Sequence, residues 1–173
     1  MSTVPTRVSW TVDEAVVTRW NESELDQAVR NEWPIASRLS TKYQTLHDTL
    51  ARPIPPGPYV VFEKMTPFIR GHMSGASGSQ RENQFQQVLI QFSIHAQSIT
   101  YTSGILESGK SRVIRLAKLV AKEFDPETNP WTMYDDSMIL VTREPDFHIR
   151  EGEDEWVWVL QYSVLIDAEY SQV

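Results

Sequence analysis

Two long stretches of the chain, residues 85–98 and 154–169, alternate apolar and polar side chains with a period of two residues. Their apolar positions are Val88, Ile90, Phe92, Ile94, Trp156, Trp158, Leu160, Tyr162, Val164 and Ile166, and the positions between them include Gln91, Ser93, His95, Gln161, Ser163 and Asp167. Successive side chains of a β-strand point to opposite faces, so this alternation predicts two strands that each bury one face. Strands of a parallel sheet are covered on both faces and are apolar throughout, so the pattern favours an antiparallel sheet.

An amphipathic helix is predicted between these strands, over residues 103–124. Its apolar side chains recur at three- and four-residue steps and must face the sheet: Val113, Leu116, Ala117, Val120 and Phe124. Its basic side chains are expected on the solvated side: Lys110, Arg112, Arg115, Lys118 and Lys122. The formal charge is −7, from 16 basic and 23 acidic residues, so we expect no basic patch that clamps nucleic acid.

The N-terminal part of the chain predicts helices, over residues 12–33 with a break near Asn21. Thr11 and Glu14 have the spacing of a capping box, in which both side chains satisfy backbone donors of a first helical turn. Residues 35–51 give no clear assignment.

Four prolines between residues 52 and 59 predict a rigid, extended connector into a strand over residues 59–65. A proline-rich ligand for a recognition domain is the alternative. The last fifty residues predict a β-hairpin, in which residues 138–150 return through 156–170 after an acidic turn at 151–154.

Together these elements predict one α+β domain over residues 1–173: an antiparallel sheet of about four or more strands, packed by one main amphipathic helix plus N-terminal helices. We divide it into an N-terminal helical segment, residues 12–33, and a sheet-and-helix core, residues 58–169. The absence of cysteine excludes disulfides, thiolate metal sites and thiol nucleophiles. Residues 1–10 lack the apolar core of a signal peptide and no apolar run is long enough to cross a bilayer, so we expect a soluble protein.

A glycine- and serine-rich segment, residues 71–80, contains three residues of each type. Such a composition buries too little apolar surface to become ordered by itself, so we expect a flexible hairpin arm. It is either a surface loop or an arm that becomes ordered against a neighbouring subunit. The candidate interface residues of this arm are Gly71, His72, Met73, Gly75, Gly78 and Arg81.

One segment matches a nucleotide-binding motif. Residues 104–111 fit G-x-x-x-x-G-K-[ST], in which glycine amides wrap phosphates, lysine neutralises them and the hydroxyl binds magnesium. The candidate cofactor-binding residues in this alternative, a P-loop nucleotide-binding phosphotransferase or NTPase, are Gly104, Gly109, Lys110 and Ser111. However, the preceding strand alternates instead of being apolar throughout, and only about sixty residues follow the motif. We therefore favour an ordinary helix start.

No catalytic or metal-binding constellation is predicted elsewhere, so we expect neither an enzyme nor a bound cofactor. The four histidines are scattered along the chain, although His95 and His148 could meet across strands. The adjacent pairs Asp135-Asp136 and Asp154-Glu155 point apart on a strand or turn and cannot share a proton.

The order of these elements resembles that of a known family. The phrases that support the resemblance are AVVTRWN at residues 15–21, PYVVFE at 58–63, FSIHA at 92–96 and WVWVLQYSVLIDA at 156–168. Over residues 12–169 the chain is similar to the tail terminator, or tail-completion and neck, proteins of tailed phages and prophages.

The resemblance implies helices on an antiparallel sheet and assembly into a homo-oligomeric ring, commonly a hexamer. Such a ring sits at the head-proximal end of the tail tube, stops tube growth and joins the tail to the head. The implied partners are other copies of the chain, the tail tube protein, head–tail connector or neck proteins, and genomic DNA that passes through the lumen without sequence-specific binding. No membrane partner is implied. The implied location is the virion tail or neck, after assembly in the host cytoplasm.

Overall fold

The structure, a computed structural model, describes residues 12–48, 53–64, 68–73, 83–131, 138–152 and 154–167. Its helices are α1 (Val12–Glu22), α2 (Leu25–Asn31) and α3 (Gly109–Glu123), with a 3-10 turn at Ile35–Ser37. Its strands are β1 (Leu46–His47), β2 (Tyr59–Lys64), β3 (Phe68–Met73), β4 (Asn83–Gln97), β5 (Ile99–Thr100), β6 (Leu106–Glu107), β7 (Met138–Arg143), β8 (Phe147–Glu151) and β9 (Glu155–Asp167). The predicted α+β class is confirmed.

The two alternating stretches are the central strands of the main sheet. β4 and β9 pair antiparallel from Phe85 opposite Asp167 to Gln97 opposite Glu155. Each is flanked on its other edge by two shorter antiparallel strands, β2 and β3 beside β4, and β7 and β8 beside β9. The two-residue strand β1 adds to β2 in parallel. Seven strands of the described residues therefore form one almost entirely antiparallel sheet.

The sheet has two chemically different faces. We call the face that carries Ile90, Phe92 and Leu160 the inner face, because these residues share one buried core with side chains of α1, α2 and α3. The outer face carries Gln91 and Gln161, together with buried valines that are not part of that core: Val61, Val157 and Val159. The alternation thus separates a helix-covered face from a face that no described core helix covers.

Helix α3 packs on the inner face as its apolar spacing predicts. Val113, Leu116, Val120 and Phe124 are almost completely buried, and the Phe124 ring lies 4.7 Å from that of Phe92 between centroids. The helix begins at Gly109, so the prediction of a helix from residue 103 is wrong for its first six positions. Residues 99–107 instead form a small hairpin, β5 and β6. None of the described helices is long and apolar enough to cross a membrane.

Two further predictions are revised at the strands. The strand predicted over residues 138–150 is divided into β7 and β8, because Pro145 has no amide for the ladder. The acidic turn before β9 is confirmed for Gly152, at φ +69°, and Asp154. Glu151 still belongs to β8, and Glu153 lies outside the described residues. The predicted flexible arm is in part a strand: Gly71, His72 and Met73 belong to β3, which pairs with β4. Its remaining residues, 74–80, and Arg81 lie outside the described residues, as do Thr11, Met65, Asp135 and Asp136.

Candidate functional site

Gly104 of the nucleotide-motif segment belongs to a hairpin turn. Its φ of +80° lies in the left-handed region that favours glycine. The Gly104 amide donates to the Tyr101 carbonyl at 2.8 Å, and the Tyr101 amide donates to the Ile105 carbonyl at 2.9 Å. These bonds close the turn between β5 and β6, so Gly104 serves a hairpin and its amide is already occupied.

Three backbone amides at the start of α3 are also occupied. The Gly109 amide donates to Ser98 Oγ at 3.1 Å, and the Ser111 amide donates to Ser108 Oγ at 3.2 Å. The Arg112 amide donates to the Ser108 carbonyl at 3.3 Å. A phosphate loop requires free amides that converge on an anion. Ser108 is a helix N-cap here, and this arrangement does not provide such a cradle.

Gly109 and Lys110 have packing roles in this segment. A Cβ atom at Gly109 would lie 2.7 Å from the Ala96 carbonyl oxygen, so only glycine lets the helix start approach the end of β4. Lys110 Nζ lies 5.3 Å from the centroid of the Trp156 ring, which is a cation–π contact. The geometry therefore favours the helix-start interpretation over the phosphate-loop alternative.

An ion-pair network joins α2, α3 and the β5–β6 hairpin. Arg115 donates from Nε and Nη2 to the two carboxylate oxygens of Glu32, both at 2.9 Å, and from Nη1 to Glu107 Oε1 at 2.6 Å. The Tyr101 hydroxyl donates to Glu107 Oε2 at 2.5 Å. Glu32 follows α2 and Glu107 ends β6, so Arg115 attaches the hairpin to the body of the protein.

Arg112 corrects a prediction, since it was expected on the solvated side of α3. It is only 3% exposed and donates to the Gln97 carbonyl at 2.8 Å and the Glu32 carbonyl at 2.9 Å. Its Nε also donates to Glu32 Oε2 at 3.3 Å. A guanidinium tolerates burial when its donors are satisfied in this way, because the lost hydration is replaced by charge-assisted hydrogen bonds.

The network also shifts the protonation equilibria of its members. Hydrogen bonds from Arg115 and then from Tyr101 lower the pKa of Glu107, and the bond to Glu107 raises the pKa of Tyr101. The pKa of Arg115 is raised, with its hydrogen bond to Glu107 as the largest cause. All three shifts favour the same state: a carboxylate, a guanidinium and a neutral phenol. All three groups therefore keep these protonation states across the neutral pH range.

The hairpin exposes apolar side chains at its end. Tyr101 is 45% exposed, Ile105 65% and Leu106 67%, and we call these three residues the hairpin tip. Large apolar side chains in such exposed positions are typical of contact surfaces when they cluster. Sequence reasoning missed this feature, because residues 104–111 were considered only as a nucleotide motif or a helix start.

Polar side chains on the outer face of the sheet form a hydrogen-bonded ladder. Gln161 Nε2 donates to Gln91 Oε1 at 2.9 Å, and Gln91 Nε2 donates to Ser93 Oγ at 3.1 Å. Gln87 is bonded to Ser163 further along the same face. Beside the ladder, the edge strands expose large apolar side chains: Leu140, Phe147 and Ile149.

The three histidines whose side chains the structure describes, His47, His95 and His148, do not form a metal site. His95 lies on the outer face, where Nδ1 is 3.1 Å from Glu155 Oε1, and His148 lies on the inner face, stacked on Trp158. The idea that His95 and His148 meet across strands is therefore wrong. His47 Nε2 lies 2.9 Å from the Gln44 carbonyl oxygen, and burial lowers the pKa of this histidine. Within the described part of the chain, no three His, Asp or Glu side chains are grouped to hold a metal ion.

A groove with a cavity volume of about 540 Å³ lies beside β1, between that strand and helices α1 and α2. Its apolar lining comes from Val17, Trp20, Leu46 and Phe62, and its polar lining includes Asp26, Arg30 and Asp48. Arg30 donates to Asp26 at 2.9 Å, and Thr45 donates to the same carboxylate. The Asp26 side chain is thus satisfied within the chain. Trp20 and Phe62 are almost completely buried, so the accessible lining of the groove is as polar as it is apolar.

No protein-family model matches this chain, and neither does any curated protein.

Proposed function

We propose that this chain is a structural assembly protein of the tail terminator type. It forms a homo-oligomeric ring at the head-proximal end of a tail tube, where it stops tube growth and joins tail to head. The observation on which the proposal rests is the location of the exposed apolar side chains. Six of the eleven large apolar side chains that the described residues expose lie at the hairpin tip and on the edge strands β7 and β8, which are positions from which a subunit can reach a neighbour.

The sequence resemblance supports the same proposal. These phrases fall in the strands that form the centre of the sheet: PYVVFE overlaps β2, FSIHA lies within β4, and WVWVLQYSVLIDA overlaps β9. The remaining phrase, AVVTRWN, lies in α1, which packs on the inner face through Val16 and Trp20.

The nucleotide-binding alternative receives less support. Each residue of the motif has another role. Gly104 lies in a turn, and Gly109 allows a close approach of two backbone segments. Lys110 makes a cation–π contact, and the Ser111 amide donates to the helix cap. No described observation favours phosphoryl transfer over assembly.

The contact between the predicted arm and a neighbouring subunit stays a prediction. Its first residues, Gly71 to Met73, extend β3 along β4, so a hairpin that projects from this end of the sheet is compatible with the proposal. The tube protein, the neck proteins and the DNA in the lumen are proposed as partners on the resemblance alone.

The experiment that tests the proposal is a tube-growth assay. The cognate tail tube protein is polymerised with and without this chain, and tube lengths are measured by electron microscopy. We expect the chain to bind at one tube end and to stop elongation at substoichiometric amounts. Unchanged tube lengths, with no protein at the tube ends, would contradict the terminator role.

A further inference from the structure

Strand β8 lies at an open edge of the main sheet. Within the described residues it pairs with β9 and with no other strand. Three consecutive residues of this strand are exposed: Phe147, His148 and Ile149. Successive side chains of a strand lie on opposite faces, so the edge is accessible from both faces of the sheet. Such an edge presents backbone N–H and C=O groups that can pair with a strand of another chain.

Two side chains of β8 extend an apolar strip of the outer face to this edge. Across the β8–β9 ladder, Phe147 lies opposite Val159 and Ile149 lies opposite Val157. The two valines are buried, whereas Phe147 is 45% exposed and Ile149 is 42% exposed. Edge strands are normally protected by charged side chains, so two large apolar side chains here indicate a contact surface. A further strand beside β8 would cover both of them with its own alternate side chains.

The charge around β8 is negative at both of its ends. Residues 143–155 contain six carboxylates and two guanidiniums, which gives a formal charge of −4 with neutral histidine. Two of the carboxylates precede the strand and four lie at or after its last residue: Glu144, Asp146, Glu151, Glu153, Asp154 and Glu155. Asp146 is paired with Arg143 at 3.3 Å and Glu155 lies 3.1 Å from His95, while Asp154 is exposed. This excess of negative charge favours a partner with cations at both ends of its own strand.

We propose that β8 accepts an extended, basic segment of a partner protein as an additional strand of the sheet. The backbone of the segment pairs with the open edge, its alternate apolar side chains cover Phe147 and Ile149, and its cations lie near the carboxylates at the ends of β8. In strand addition of this kind, backbone hydrogen bonds give affinity and the alternate side chains give specificity. The inference goes beyond the proposed ring, because it concerns one edge of one chain and does not depend on the number of copies.

The probe for this edge is the synthetic peptide KKVTVTVKK, which has alternate valines in its centre and lysines at both ends. Two control peptides each remove one property of the probe. EEVTVTVEE keeps the strand-forming centre but reverses the charge, and KKVPVPVKK keeps the charge but lacks two amides that a strand donates. Binding of each labelled peptide to the whole chain is measured by fluorescence anisotropy. We expect each control to bind at least about tenfold more weakly than KKVTVTVKK.

Two variants of the chain then locate the binding edge. Ile149→Thr keeps a β-branched residue in β8 but removes apolar surface, and it should weaken binding of KKVTVTVKK by about threefold to fivefold, the scale of one cross-strand pair. Ile105→Thr is the matched control in the β5–β6 hairpin, where Ile105 is 65% exposed, and it should leave binding unchanged. Thermal melts check that both variants are folded. Hydrogen exchange of the unaltered protein needs no variant, and the bound peptide should slow exchange in residues 147–151.

Several results would overturn the inference. The first is that KKVTVTVKK does not bind, and the second is that either control peptide binds as tightly, since strand pairing or charge would then select nothing. Equal effects of Ile149→Thr and Ile105→Thr, or slowed exchange that omits residues 147–151, would place the peptide elsewhere on the chain. None of these results bears on the ring, which the tube-growth assay tests, so the two proposals can fail separately.

Discussion

The two faces of the central sheet come from the same strands, but one packs against the helices and the other carries hydrogen-bonded polar side chains. On the inner face, Phe92 contacts the rings of Phe62, Phe124 and Tyr162 and belongs to the core shared with the helices. On the outer face, its sequence neighbour Gln91 is hydrogen-bonded to Ser93 and Gln161. Consecutive positions of one strand therefore serve fold stability and surface chemistry respectively. The difference implies that substitutions on the outer face should leave the stability of the core largely unchanged.

The largest expected effect comes from truncation on the inner face. Phe92→Ala should lower the free energy of unfolding by about 3–5 kcal/mol, because it removes a ring that is completely buried among other rings. Gln91→Ala is the matched control one residue away, and it should cost less than about 1.5 kcal/mol, since it removes partly exposed hydrogen bonds. Urea unfolding of both variants measures the difference. Equal costs at the two positions would remove the distinction between the faces.

The same comparison can be made on helix α3. Leu116→Ala should cost about 2–5 kcal/mol, because Leu116 is buried against the sheet. Leu119→Ala should cost less than about 1 kcal/mol, since Leu119 is largely exposed on the other side of the helix. If Leu116→Ala costs under half a kilocalorie, about the scale of surface substitutions, the helix does not pack as described.

A smaller effect, with the opposite sign, is expected at Tyr162. Its hydroxyl is buried and has no hydrogen-bond partner among the described residues, so Tyr162→Phe should stabilise the protein by about 1 kcal/mol. Burial raises the pKa of Tyr162 from 10.0 to about 12. Because the unfolded chain then loses this proton first, stability should fall as the pH rises from about 10 to about 12.

The phenylalanine variant should lack this alkaline loss of stability. Thermal melts of the two proteins between neutral and alkaline pH provide the measurement. A parallel decline in both would show that another group causes it.

The smallest effect is expected at Lys110. Lys110→Ala removes only the contact with Trp156 and should cost about 0.5–1 kcal/mol. Calorimetry of the unaltered protein with ATP and magnesium should detect no binding, because the neighbouring amides are already hydrogen-bonded. Micromolar binding that disappears in Lys110→Ala would favour the nucleotide-binding alternative.

Sequence pattern predicted the features that depend on neighbouring residues. The alternation of β4 and β9 and the apolar stripe of α3 each repeat over many residues, and both were placed correctly. The division of the predicted strand into β7 and β8 also has a local cause, because Pro145 cannot donate to the ladder. The prediction of one long hairpin did not take this proline into account.

The features that were missed depend on distant contacts. Arg112 was assigned to solvent because its helix position is polar, yet its partner Glu32 lies 80 residues earlier. The hairpin of β5 and β6 was missed because the glycine of its turn also fits a nucleotide motif. The pattern of one segment does not reveal a remote ion-pair partner, so neither the ion-pair network nor the exposed hairpin tip could be derived from it.

The most direct test of the assembly proposal is the mass of the protein in solution. Size-exclusion chromatography with light scattering, over a range of concentrations and with tube protein present, distinguishes a ring from a single chain. We expect an assembly with a mass that is an integral multiple of 19.9 kDa, populated more fully when tube protein is added. A mass of one chain at every concentration, with and without tube protein, would contradict the proposal.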